Sequence, residues 1–260
     1  PLTVFGNAGN DVISLQSVNA ATNIKAGSGN DTIDLPSVSA ATTVNGGSGD
    51  DQITLQSVSA SAVVNLNGEA GADTIKIYAS AAGTTINIRG GDDSDTITLG
   101  STANSISGLL GLINIYGDGH ASGNTTLTIH GDSNSKPTGD QLLINDQGDT
   151  QDNSYLLTTA SFQRLGGNAT GLITYATIET LVFNSGIGAD TINITGTVDN
   201  TNTFINATGA NTGVDTINIT TTGAGSNLAV YGGGAADVIT IQNTGANSFV
   251  ETYAGDGDDR

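Results

Sequence analysis

"GGSGDDQITL", Gly46 to Leu55, has relatives on both sides in this chain: "NAGNDVISL" (Asn7 to Leu15) and "AGSGNDTIDL" (Ala26 to Leu35) precede it, and "NGEAGADTIKI" (Asn67 to Ile77) follows. Each phrase brings glycines, then an aspartate, then two aliphatic residues separated by one polar position. Asp11, Asp31 and Asp51 are spaced 20 apart, and Asp73 and Asp95 follow at intervals of 22. After a break the series resumes at Asp190, Asp215, Asp237 and Asp259, with gaps of 25, 22 and 22. Self-similarity at a fixed period in this range marks a solenoid.

The residues after each aspartate alternate. Ile13 and Leu15, Ile33 and Leu35, Ile53 and Leu55, Ile75 and Ile77, and Ile97 and Leu99 repeat the same offsets, which return as Ile192 and Ile194, Ile217 and Ile219, and Ile239 and Ile241. Period-two alternation predicts a strand with one face inward. Seven residues before the aspartates stand Val4, Ile24, Val44, Leu66, Ile88, Phe183 and Val230, again in alternating segments. Each coil therefore reads as strand, Gly-rich corner, strand, and a softer corner such as "PSVSAATT" (Pro36 to Thr43). Thr, Ile, Val and Asn dominate, which favours strands over helices. The expected fold is all-β: a right-handed parallel β-helix, or β-solenoid, with coils of about 20–25 residues stacked ~4.8 Å apart.

The expected organisation is one continuous solenoid over residues 1–260, with regular coils at 1–100 and 181–260. Residues 101–180 read as irregular coils or an insertion. There "TGDQLLINDQGD" holds a weaker copy of the motif at Gly139 and Asp140, and "NSYLLTTASFQRLGG" and "GLITYATIETLVF" read as strands of a hairpin extension or of longer coils. Pro1 opens directly into a repeat and Arg260 follows one, so the chain is expected to be a piece of a larger repeat protein.

Composition narrows the function. Six Lys and Arg against 25 Asp and Glu give a formal charge of −19, the wrong sign for nucleic acid or an anionic membrane. It suits hard cations. No cysteine is present, so no disulfide staples the chain, and no run approaches a membrane span. Hydrophobic residues make up 36% and aromatics only 4%, so the core is thin and aliphatic.

Stacked coils put Asp11, Asp31, Asp51, Asp73 and Asp95 in one column. Neighbouring charges ~4.8 Å apart repel by about 1 kcal/mol in water and ~3–4 kcal/mol at an effective dielectric of 20. Either the carboxylates fan outward into water or a cation lies between coils. The corner glycines permit positive φ and turn carbonyls into the corner, and carbonyl plus carboxylate oxygens are what calcium's 6–8 ligand shell takes. A metal-free alternative is an Asx turn, in which each aspartate accepts its own local backbone N–H.

Gly46 to Thr54 resembles the G-G-x-G-x-D-x-U-x nonapeptide of the repeats-in-toxin (RTX) calcium β-rolls. Ala26 to Asp34 resembles it with Ala in the first place, and Asn7 to Asp11, Gly186 to Asp190 and Gly255 to Asp259 resemble its centre. The wider chain is similar to the long degenerate repeats of giant bacterial surface and secreted proteins. The resemblance implies calcium held by Gly27, Gly29 and Asp31, by Gly47, Gly49 and Asp51, and at corresponding positions by Asp11, Gly71, Asp73, Asp95, Gly188, Asp190, Gly257 and Asp259. It departs from the family where only one corner per coil carries the motif, where coils exceed 18 residues, and where Asp93 and Ala235 replace glycine. Support is greatest over residues 1–75, less around 186–190 and 255–259, and weakest at Asp215 and Asp237.

Other constellations carry less. His120 and His130 flank a Gly-rich turn beside Asp118 and Asp132, a conceivable transition-metal site but more simply solvated histidines. Lys25, Lys76, Arg89, Lys136, Arg164 and Arg260 are scattered and form no convergent catalytic group, so no enzyme is expected. The row Ser14, Asp34, Thr54, Lys76, Thr98 is too mixed for an ice-binding array, and the sequons at Asn168, Asn193, Asn206 and Asn218 follow from composition. The expectation is a calcium-stabilised, non-enzymatic rod, extracellular or on a bacterial surface, serving as adhesin stalk or filament. Its expected partners are neighbouring repeats, end-to-end copies, or host or matrix glycans. The alternative is a carbohydrate-binding or lyase-accessory module.

Overall fold

Val44 pairs in register with Ile24 below it and Leu66 above it, and Ile53 with Ile33 and Ile75. Equal residue types stacked at equal depth let each coil offer its neighbour the same apolar ridge, so one core solution propagates along the rod. The computed structural model describes residues 1–120, 126–127, 136–207 and 213–260. Among these it is all-β, with two long sheets facing each other.

The first sheet has twelve strands. In spatial order they are Leu2–Ala8, Thr22–Ser28, Thr42–Ser48, Val63–Ala70, Thr85–Asp92, Leu112–Asp118, Ile173–Ala176, Ser161–Leu165, Ser154–Leu157, Thr191–Ile194, Thr216–Ile219 and Val238–Ile241. The second has ten: Val12–Ser14, Thr32–Leu35, Gln52–Leu55, Thr74–Ile77, Thr96–Leu99, Gln141–Asn145, Thr180–Asn184, Asn202–Asn206, Asn227–Tyr231 and Phe249–Tyr253. Every neighbouring pair in the second sheet is parallel. Ten layers at about 4.8 Å make a rod of roughly 48 Å. The inward rows are buried aliphatics, among them Ile24, Ile33, Leu35, Ile53, Leu55, Leu66, Ile75 and Ile77. The half-buried rows between them carry asparagine ladders: Asn87 Nδ2 donates to Asn65 Oδ1 and Asn114 Nδ2 to Asn87 Oδ1, both at 2.9 Å.

The sheets differ by two strands because one coil runs back on itself. Ser154–Leu157 is antiparallel to Ser161–Leu165, which is antiparallel to Ile173–Ala176. This meander sits between the parallel strands Leu112–Asp118 and Thr191–Ile194. Its core is an aromatic cluster. Tyr155 and Phe162 each place a ring centroid 4.7 Å from that of Phe183.

Buried with them is Arg164, fully enclosed. Its guanidinium reaches Asp146 Oδ2 at 2.9 Å and Asp149 Oδ2 at 2.8 Å, its Nε donates to Asn168 O at 2.8 Å, and Tyr155 Oη donates to Asp146 Oδ2 at 2.8 Å. A buried charge persists only when paired and hydrogen-bonded. Arg164 is thus not a stray cation but the internal counter-ion of the meander.

The meander also changes what the motif connects. Before it, each Gly-Asp corner leads from the first sheet to the second, as from Thr42–Ser48 through Asp51 to Gln52–Leu55. After it, each leads from the second to the first, as from Thr180–Asn184 through Asp190 to Thr191–Ile194. Phe183 and Val230 therefore stand in the second sheet, whereas Val4, Ile24, Val44, Leu66 and Ile88 stand in the first. The two aspartate series run along opposite edges of the rod.

Candidate functional site

The corner begins with backbone conformation. Two and four residues before the aspartate the chain takes positive φ: Gly27 and Gly29 at 125° and 116°, Gly47 and Gly49 at 117° and 116°. Glycine adopts such angles without steric cost. At Gly47 a side chain has no room either, because a Cβ there would lie 1.9 Å from Gly27 O. The same two turns recur where glycine is absent: Asn7 (81°), Glu69 (82°), Asp93 (76°) and Ala235 (101°) hold them with ordinary side chains. The Asp237 corner therefore has the common shape, as does that of Asp259, with Gly255 at 103° and Gly257 at 150°. The Asp190 corner does not, since Gly186 and Gly188 have no positive φ. Conformation ranks these corners differently from motif spelling.

With or without this turn, the corner aspartates point inward. Asp31, Asp51, Asp73, Asp95, Asp140, Asp190, Asp215 and Asp237 are all buried. The carboxylates do not fan outward, and they are not local Asx turns. Each Oδ1 accepts the backbone N–H of the aspartate one coil earlier: Asp11 to Asp31 and Asp31 to Asp51 at 2.7 Å, then Asp51 to Asp73, Asp73 to Asp95 and Asp95 to Asp140 at 2.8 Å. Glu179 ends this column, its Oε2 accepting Asp140 N–H at 2.9 Å. On the opposite edge the second column runs from Asn153 N–H to Asp190 Oδ1 at 2.9 Å, then through Asp215, Asp237 and Asp259 at 2.8 Å per step.

The other oxygen is left over. Oδ2 of Asp11, Asp31, Asp51, Asp73, Asp95, Asp140 and Asp237 is buried without a hydrogen-bond partner. Those of Asp11, Asp51, Asp73, Asp95 and Asp237 face the glycine five positions upstream. A Cβ on Gly46 would meet Asp51 Oδ2 at 2.3 Å and Gly68 O at 2.7 Å; one on Gly68 would meet Asp73 Oδ2 at 2.1 Å and Gly90 O at 2.4 Å. The column is thus a string of paired carboxylate and carbonyl oxygens. The motif match assigned donors to the glycines at its second and fourth positions, such as Gly47 and Gly49. The carbonyls sharing space with Oδ2 are instead those of Gly68 and Gly90, a position that recurs as Gly6, Gly46 and Gly232 and could have been noticed by its spacing.

Desolvation raises the acids. Burial pushes Asp51 up to about 6, Asp73 to about 7 and Asp95 to about 8, each opposed by the N–H it accepts and reinforced by neighbouring carboxylates. Asp190 rises to about 6 through burial, with the Asn153 N–H and the Ser185 hydroxyl drawing it back. Asp237 is raised by burial as well.

An orphaned oxygen of this kind fits a cation or a proton. The donors are all oxygen, as a hard cation requires, and one carboxylate recurs per coil. An asparagine would serve a metal-free column better: its Oδ1 could accept the same N–H and its Nδ2 could donate to the adjacent carbonyl. The chain uses asparagine ladders freely elsewhere, as at Asn145–Asn184–Asn206. Retaining aspartate keeps a negative charge in a buried column, at a cost that only a cation or proton relieves.

The two histidines are not brought together as a described site, because His130, with Asp132, lies outside the described residues. No family model, curated protein or solved structure matches the chain. The likeness to RTX repeats therefore rests on the corner residues themselves, and what is established is a parallel β-solenoid with stacked buried aspartates.

Proposed function

We propose that this chain is a non-enzymatic structural rod, stiffened by calcium along its aspartate columns, from an extracellular or surface-attached bacterial protein such as an adhesin stalk or matrix filament. The observation that carries the reading is the row of buried, unpartnered Oδ2 atoms at Asp11, Asp31, Asp51, Asp73, Asp95, Asp140 and Asp237, in a chain of formal charge −19. Asp11, Asp31, Asp51, Asp73 and Asp95 on one edge, and Asp190, Asp237 and Asp259 on the other, would hold the ions together with corner carbonyls. The bound ion supplies positive charge that offsets carboxylate desolvation and mutual repulsion. Outside the cell, where calcium is plentiful, the columns are neutralised and the rod is rigid. Inside, self-repulsion favours the unfolded chain that export needs, so folding is linked to metal binding. Neighbouring repeats of the same polypeptide, or end-to-end copies, are the partners this reading implies.

The test is calcium titration of the EDTA-stripped chain, followed by far-UV circular dichroism and a melt at each step. Melting temperature rises with calcium and not with equal magnesium. A melt indifferent to calcium at pH 8 would sink the reading and leave protonation as the means of satisfying the column.

A further inference from the structure

Where the first column ends, its last aspartate meets a histidine. Asp140 is fully buried, its Oδ1 accepts Asp95 N–H, and its Oδ2 has no partner. A Cβ on Gly117 would meet both Asp140 Oδ2, at 2.4 Å, and Thr177 O, at 2.0 Å, so the orphaned oxygen and that carbonyl crowd the same spot. Thr177 in turn lines an open cleft of about 520 Å³ together with His120 and Glu179. His120 Nδ1 lies 3.5 Å from Glu179 Oε2. Among the described residues, His120, Asp140 and Glu179 form the group whose metal-binding atoms all lie within 4.8 Å of one another.

We infer that His120, Asp140 and Glu179 form a site for a first-row divalent transition ion such as Zn²⁺ or Co²⁺, chemically distinct from the all-oxygen columns. Imidazole is the donor that separates the two: it suits zinc and its neighbours, whereas calcium and magnesium take oxygen. Ligands on a tetrahedral zinc stand about 3.3 Å apart, given bonds of about 2.0–2.1 Å. The present ligand atoms all lie within 4.8 Å of one another, with His120 Nδ1 already 3.5 Å from Glu179 Oε2, and His120 and Glu179, at 30% and 20% side-chain exposure, have the freedom to close the remainder. Asp140 is the fixed member, held by the coil beneath it. Three protein ligands beside a cleft leave coordination positions open, so a ligand or a second macromolecule could complete the shell there.

The experiment is Co²⁺ titration of the full chain, followed by visible absorption and competed with Zn²⁺, in saturating calcium so that the columns do not contribute. One site per chain is expected. His120→Gln should weaken it at least tenfold without moving the melting temperature in calcium, and Glu179→Gln should also weaken it at least tenfold. His120 is on the surface, so its variant remains informative even if Glu179→Gln perturbs the column end. Absence of a Co²⁺ band, equal affinity in the His120 variant, or a loss confined to His130→Gln would each overturn the assignment. None of these results bears on the calcium response of the columns.

Discussion

Asp51 N–H donates to Asp73 Oδ1 at 2.8 Å, while Asp51 Oδ1 accepts Asp31 N–H at 2.7 Å. One residue is therefore donor to the coil above and acceptor from the coil below, and the column transmits order along the rod. Truncating a link strands a buried N–H, which costs about 1–3 kcal/mol. Asp73→Ala should lower stability by about that amount, measured by urea unfolding in calcium.

Asp73→Asn separates charge from geometry. It keeps the acceptor for Asp51 N–H and gives the second atom a donor. In EDTA at pH 8 this variant should be more stable than the parent, and its calcium response should be smaller. A variant less stable than the parent in EDTA would show that the charge itself is not the burden inferred here.

The raised carboxyls set the pH dependence of the metal-free protein. Their folded values lie above the ordinary 3.8, so the folded state holds protons that the unfolded chain releases. The resulting stability is complete below about pH 3.8 and is lost as pH rises through about 6 to 8. In EDTA the melting temperature should fall steadily between pH 5 and 8.5. Calcium should flatten that slope, because a bound ion replaces the proton. A flat profile in EDTA would contradict the buried column.

Glycine substitutions should divide by position. Gly47 combines φ of 117° with Gly27 O at 1.9 Å from a new Cβ, so Gly47→Ala should cost about 1–3 kcal/mol. Gly167 has open space and no positive φ, so Gly167→Ala should be neutral or slightly stabilising. Paired thermal melts check both.

Arg164→Met should be among the most damaging single changes. It leaves Asp146 and Asp149 without their guanidinium partner in the core of the meander. Breaking a buried pair from one side costs about 3–5 kcal/mol. Adding Asp146→Asn should recover part of that loss, which unfolding of the double variant would reveal.

Much of this architecture is legible in the residues. The offsets of Ile33 and Leu35, or Ile75 and Ile77, from their aspartates announce short inward-facing strands, because side-chain alternation is a local property of extended backbone. The corner is legible through its glycines, although Glu69 and Ala235 hold the same turn without them. Arg164 looked like one of several scattered cations because its partners Asp146 and Asp149 come from another strand connection. His120 and Glu179 are 59 positions apart and meet only because the coils place them side by side.

By itself, the sequence determined the repeat length, the strand pattern and the alignment of one aspartate per coil, since all three follow from spacing along the chain. Only the tertiary structure decided that the carboxylates turn inward, that each takes its hydrogen bond from the neighbouring coil, and that the series changes edge at the meander. Those features depend on which strands lie side by side. A period written in one dimension does not record on which side of the rod a corner falls, nor whether the coil that pairs with it is the next copy or an inserted loop.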